Sequence, residues 1–257
     1  MGRSLEHANF TFPRGYLFGL TLSTAGSSTT FSVAAGEAVD STFVGNMTLG
    51  SSISKTTSAW AVGSTNGALD TGTIANNTWY HVYLIKRPDT GVVDILISLS
   101  ATSPTLPSGY TIFRRIGSMK TDGSGNWVAF TQNGDDFVWS APVFDANAAA
   151  LGTSRSLFTL STPPGVVTKA NVLVWAFNSS TGTSIWVGPT TTTDAAPSFS
   201  SSPGATVFTL STTSIQPGAT INILTDASSR VAARSSAAGT QLYLTTNGWT
   251  DTRGKLS

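Results

Sequence analysis

Two apolar runs joined by a short turn constrain this chain more than any other feature. The first reads Trp79-Tyr80-His81-Val82-Tyr83-Leu84-Ile85 and the second Val92-Val93-Asp94-Ile95-Leu96-Ile97-Ser98-Leu99. Between them lies Arg87-Pro88-Asp89-Thr90-Gly91. β-branched and aromatic side chains fit the pleated surface of a strand, and a Pro/Asp/Gly cluster reverses the chain. The stretch therefore predicts an antiparallel hairpin at the centre of an all-β domain. Asn66-Gly67-Ala68-Leu69-Asp70-Thr71-Gly72 leads into it.

The same signal recurs along the chain. Leu20, Leu22, Phe31 and Val33 alternate with small polar residues, the period of a half-buried strand. Short strands are expected at Phe43 to Leu49, Ile53 to Val62, Tyr110 to Ser118, Trp127 to Gln132 and Asp136 to Trp139. The segment from Ala101 to Tyr110 holds Pro104 and Pro107 and reads as a surface connection. After Gly152 the pattern restarts, with candidates from Ser156 to Leu160, Ala170 to Phe177, Thr183 to Val187, Thr206 to Leu210, Thr220 to Leu224, Arg230 to Arg234 and Gln241 to Leu244. Asp145-Ala146-Asn147-Ala148-Ala149-Ala150 alone has a helix-like composition. The expected organisation is an arm or linker over 1–14, a β-sandwich over 15–141, a linker over 142–153 and a second β-sandwich over 154–257. The fold class is all-β, two sandwich or jelly-roll-like domains with almost no helix.

Composition limits the chemistry. Only 11% of residues are charged and the net charge is +1. A nucleic-acid binder needs a basic face, and Arg114-Arg115 with Arg230 and Arg234 are too few and too scattered. The absence of cysteine removes disulfides, thiolate metal sites and a thiol nucleophile together. Met1 to Arg14 has no apolar h-region, so no signal peptide is expected, and no run approaches the length of a membrane span.

Catalytic constellations are thin. Of the two histidines, His7 lies in the arm, so a Ser-His-Asp triad would need His81, which reads as a packed or solvent-facing strand residue. Glycoside hydrolysis needs two facing carboxylates. Glu37, Asp40, Asp70, Asp135, Asp136, Asp145, Asp226 and Asp251 fall mostly in turns, and Asp94, mid-strand, is expected to face solvent. Asn133-Gly134-Asp135-Asp136 and Asp122-Gly123-Ser124-Gly125-Asn126 lack the ligand count of a calcium loop and read as hairpin turns. No catalytic residue, cofactor or metal is expected. Trp60, Trp79, Trp127, Trp139 and Trp175 sit in strand patterns and read as core. Trp186 and Trp249, near loops, are the candidate glycan contacts.

Several pieces together resemble a family of bacteriophage tail-fibre and appendage virion proteins and their prophage relatives. They are Asn66 to Gly72, Asn77-Thr78-Trp79-Tyr80-His81-Val82, Ser103 to Tyr110, Phe113-Arg114-Arg115-Ile116-Gly117 and Gly248-Trp249-Thr250-Asp251-Thr252-Arg253-Gly254. The resemblance implies a structural, non-enzymatic virion protein: a fibre, spike or head-decoration subunit. It further implies assembly in the host cytoplasm, other virion proteins as partners, a homotrimer and contact with host-surface glycan. A polysaccharide-degrading spike and a carbohydrate-binding module are the alternatives.

Overall fold

The computed structural model describes residue 13 and residues 15–180, 182–198, 206–209 and 218–255. Of the arm expected over 1–14, all but Pro13 lies outside the described residues. The described residues contain no helix and form four sheets.

In the first half the strands are β1 (Leu17–Gly19), β2 (Leu22–Ser23), β3 (Thr30–Val33), β4 (Gly36–Val39), β5 (Asn46–Leu49), β6 (Ile53–Ala59), β7 (Gly67–Leu69), β8 (Trp79–Lys86), β9 (Val93–Ser98) and β10 (Ile112–Lys120). They make a three-stranded sheet, β1-β4-β5, and a seven-stranded one, β10-β8-β9-β7-β6-β3-β2. The predicted hairpin is β8–β9, antiparallel from His81 opposite Ser98 to Lys86 opposite Val93. Gly91 takes φ +72° in its turn, a region open to glycine.

The second half comprises β11 (Phe130–Asn133), β12 (Asp136–Leu151), β13 (Ser156–Thr159), β14 (Lys169–Phe177), β15 (Ser184–Pro189), β16 (Thr206–Thr209), β17 (Gly218–Leu224), β18 (Arg230–Ser235) and β19 (Thr240–Thr250). A five-stranded sheet, β11-β12-β19-β14-β17, faces a four-stranded one, β13-β18-β15-β16. Leu151, Val172, Val174, Ile185, Val187, Val231, Leu242 and Leu244 fill the core between them.

Most of the expected linker over 142–153 is a strand instead, up to Leu151. β12 runs sixteen residues through it and pairs with β19 from Asp136 opposite Thr250 to Leu151 opposite Thr240. Its alanines overrode their helix preference because the ladder to β19 supplies tertiary pairing that an isolated short helix lacks. Three register shifts absorb the irregular sequence, and Pro142 falls within the first, where no ladder donor is needed.

β12 and β19 serve both halves: Phe137, Trp139 and Trp249 enter the first core beside Trp79, Tyr80 and Trp127. Trp249 packs edge-on to Trp79 with centroids 5.3 Å apart and stacks flat on Phe137 at 5.1 Å. Thus Trp249 of β19 belongs to the core that the first half begins.

Candidate functional site

Alternation along β14 decides which side chains the five-stranded sheet offers to the outside. Ala170, Val172, Val174 and Ala176 are buried in the second core. Lys169, Asn171, Leu173, Trp175 and Phe177 therefore share the opposite face, all of them at least partly exposed. On β19 the same logic buries Leu242 and Leu244 and leaves Gln241 and Tyr243 outside. The register sets Trp175 opposite Tyr243, and the two rings stack with centroids 3.5 Å apart and planes 5° apart. On its other side Trp175 pairs with Gly218 of β17, which brings no side chain. Phe144 of β12, 68% exposed, stands in the row of Leu173, both opposite Thr245.

Further along the same face the surface turns polar. Asn247 donates to Asn171 at 2.9 Å, and Asn171 donates to Asn222 at 3.0 Å. Three strands thus contribute one amide each to a linked row. The row borders a cavity of about 310 Å³ that Asp136, Lys169 and Thr250 also line. Each amide retains donor or acceptor positions beyond the row. A ring pair beside a fixed row of amides can pack C–H faces and hydrogen-bond hydroxyls together. That suits an uncharged polyhydroxylated ligand lying along the sheet.

No family model, no curated protein and no solved structure matches the chain.

The two tryptophans expected as glycan contacts are both buried. Trp249 is locked in the first core as described. Trp186, fully buried, lies under the loop that follows β15: Arg155 sits over its ring at 5.9 Å and donates to the carbonyls of Thr190 and Thr192. A sugar face needs an open ring, so neither can serve. Trp175, read from sequence as core, is instead half-buried on the outer face of the five-stranded sheet. The signal was present: the small residues Ala170, Val172, Val174 and Ala176 mark the inward face and set Trp175 with Lys169 and Asn171.

Each of the remaining candidates is engaged by partners within the fold. His81 is buried, its Nδ1 2.9 Å from Ser118 Oγ. Burial and the Arg115 cation push its pKa down to about 4, against smaller opposing effects of Asp251 and the Pro164 carbonyl. Asp94, expected in solvent, is completely buried and pairs with the equally buried Lys55 at 3.2 Å. Alternation was not at fault. β9 is covered on both faces, the second by Trp60, Leu106 and Tyr110. Asp251 pairs with Arg115, Asp226 with Arg230, and Asp135 with both Arg253 and Lys255. Asp40 accepts from the amides of Thr42, Val44 and Gly45, and Asp145 from Ser161 and Thr246. Glu37 accepts from the Tyr16 hydroxyl, Asp70 from the amides of Thr71 and Thr105, and Asp136 from Thr250. Asp122 closes its own turn through the amides of Ser124 and Asn126. Among the described residues no group of three acidic or imidazole side chains is placed to hold a metal ion.

Proposed function

We propose that this chain is a structural, non-catalytic protein of a bacteriophage particle that attaches to neutral glycan through the outer face of its five-stranded sheet. The observation that carries the attachment is the Trp175–Tyr243 stack beside the Asn171–Asn222–Asn247 row. The virion setting rests on the sequence resemblance. The structure adds this support: three of the resembling pieces meet at one junction, where Trp79 packs on Trp249 and Arg115 pairs with Asp251. These pieces are therefore parts of a frame. Homotrimeric assembly belongs to the same proposal. Exposed apolar groups on the first sandwich, Phe18 and Val44 at 68% and 81%, are surface that neighbouring copies would cover. Multivalent display would then raise avidity without a strong single site.

A glycan array probed with the wild type and with Trp175→Ala tests the attachment. The expected result is binding to one or more uncharged glycans, lost in Trp175→Ala with the melting temperature unchanged. An array on which the wild type binds nothing removes attachment from the proposal. Sedimentation of the wild type tests the trimer, and immunogold labelling of phage particles tests the setting.

A further inference from the structure

A second cavity, independent of the glycan reading, lies at the β10 edge of the seven-stranded sheet. It encloses about 420 Å³ and gathers Arg114, Arg115 and Arg253 around one space. β10 is an edge strand, and the C-terminal segment 251–255 runs past it within reach of both arginines.

The charges around this cavity do not balance. Arg115 is matched by Asp251. Arg253 and Lys255 share the single carboxylate of Asp135. Asp40 has both oxygens engaged by the amides and hydroxyl of its own loop. Among the described residues, four cations, Arg114, Arg115, Arg253 and Lys255, thus stand near three carboxylates, Asp40, Asp135 and Asp251. Arg114, only 5% exposed, is the one of the four with no carboxylate in contact among the described residues. Its Nε and Nη2 both donate to the Arg253 carbonyl, at 3.2 and 2.9 Å, and among the described residues no carboxylate pairs with it. Nη1 of Arg253 is also buried without a hydrogen-bond partner. Burial and the neighbouring Arg115 and Arg253 push the Arg114 pKa below its ordinary value, opposed by the weaker pull of Asp40. A buried guanidinium in that position is stabilised by any anion that reaches it.

We infer that this cavity binds a small organic oxyanion, a carboxylate or a phosphate ester, with Arg114 as its principal contact. The walls specify the organic part. Tyr83, Phe113 and Val166 offer apolar surface, and Ser41 and Thr102 offer hydroxyls. The Tyr83 ring is fixed by its hydroxyl, which donates to the Ser100 carbonyl at 2.7 Å. The volume suits a ligand of monosaccharide size rather than a bare ion.

Calorimetric titration of the wild type with glucuronate, glucose 1-phosphate, glucose and inorganic phosphate tests this. The expected result is one site for glucuronate, for glucose 1-phosphate or for both, weakened by salt, and none for glucose. The arm that binds identifies the anion as carboxylate or phosphate ester. Arg114→Gln should weaken that binding at least about tenfold, the loss of one charge-assisted contact. Because Arg114→Gln removes a buried group, Thr102→Phe provides a second test: it fills the cavity from an exposed loop without altering charge, and it should abolish binding. Wild type that binds neither organic anion at millimolar concentration, or binds inorganic phosphate alone, overturns the inference. So does binding that survives in Thr102→Phe.

Discussion

Arg115 and Asp251, 136 residues apart in sequence, are joined by two hydrogen bonds of 2.6 and 2.8 Å in a largely buried ion pair. The pair ties β10 to the chain's C-terminal segment. Burial alone would raise the Asp251 pKa. The hydrogen bonds and charge of Arg115 outweigh it and hold the carboxyl below its ordinary range. Removing one partner strands the other charge in the interior, which costs about 3–5 kcal/mol, whereas replacing both with apolar groups costs far less. Arg115→Met and Asp251→Leu should each lower stability by about that amount in urea unfolding. Arg115→Met combined with Asp251→Leu should recover much of it. Purely additive losses in the double variant would contradict the pairing.

The pH dependence of stability should carry the signature of His81. The buried imidazole has a pKa pushed down to about 4, while an unfolded histidine titrates near 6.5. Between those values the unfolded chain holds a proton that the folded chain refuses, so stability falls as pH falls. The contribution is fully present above pH about 6.5. It declines toward pH about 4 by up to roughly 3 kcal/mol. The lowered carboxylates Asp135, Asp226 and Asp251 act in the same direction, but only as pH drops through their still lower range. His81→Asn should flatten the decline between pH 6.5 and 4 and leave the acid limb in place. Urea midpoints measured across that window decide it.

How far the sequence reveals this molecule depends on the range of the interaction. The β8–β9 hairpin was legible because its pattern and its turn are local. The continuity of β12 was not: Ala146 to Ala150 becomes strand only because β19, about a hundred residues later, lies beside it. Asp94 shows the same limit. Its alternation was readable, but nothing in the strand announces that the second face is roofed by Trp60 and Tyr110. For Trp175 the local pattern held the answer, and the habit of assigning tryptophan to cores hid it. Trp186 and Trp249 are the converse, placed near loops yet covered by contacts distant in sequence.

The Lys55–Asp94 pair offers a sharper test of buried charge. Lys55 Nζ also donates to the carbonyls of Ala61 and Gly63, and Asp94 accepts from the Gly63 amide at 2.8 Å. Burial lowers the Lys55 pKa, countered by the charge of Asp94. The two side chains hold the turn after β6 against β9. Lys55→Met should cost about 3–5 kcal/mol by leaving Asp94 alone. It should also loosen the turn at residues 61–63, seen as faster amide exchange there than in β8. Unchanged exchange at Gly63 would show that Asp94 does not anchor the turn.

The shared strands make a prediction about cooperativity. Gly248 of β19 sits between Val138 of β12 and Asn171 of β14. A Cβ built on it would lie 2.1 Å from the Phe137 carbonyl oxygen, so the backbones must part to admit alanine. Overpacking of this kind costs on the order of 3 kcal/mol. Because β19 contributes Trp249 to the first core and Leu242 and Leu244 to the second, the loss should appear in both. Gly248→Ala should shift one common unfolding transition, followed both by near-ultraviolet dichroism of the tryptophan cluster and by amide exchange in β15 and β18. Two separated transitions, with β15 and β18 retaining wild-type protection, would mean that the halves fold independently despite their common strands.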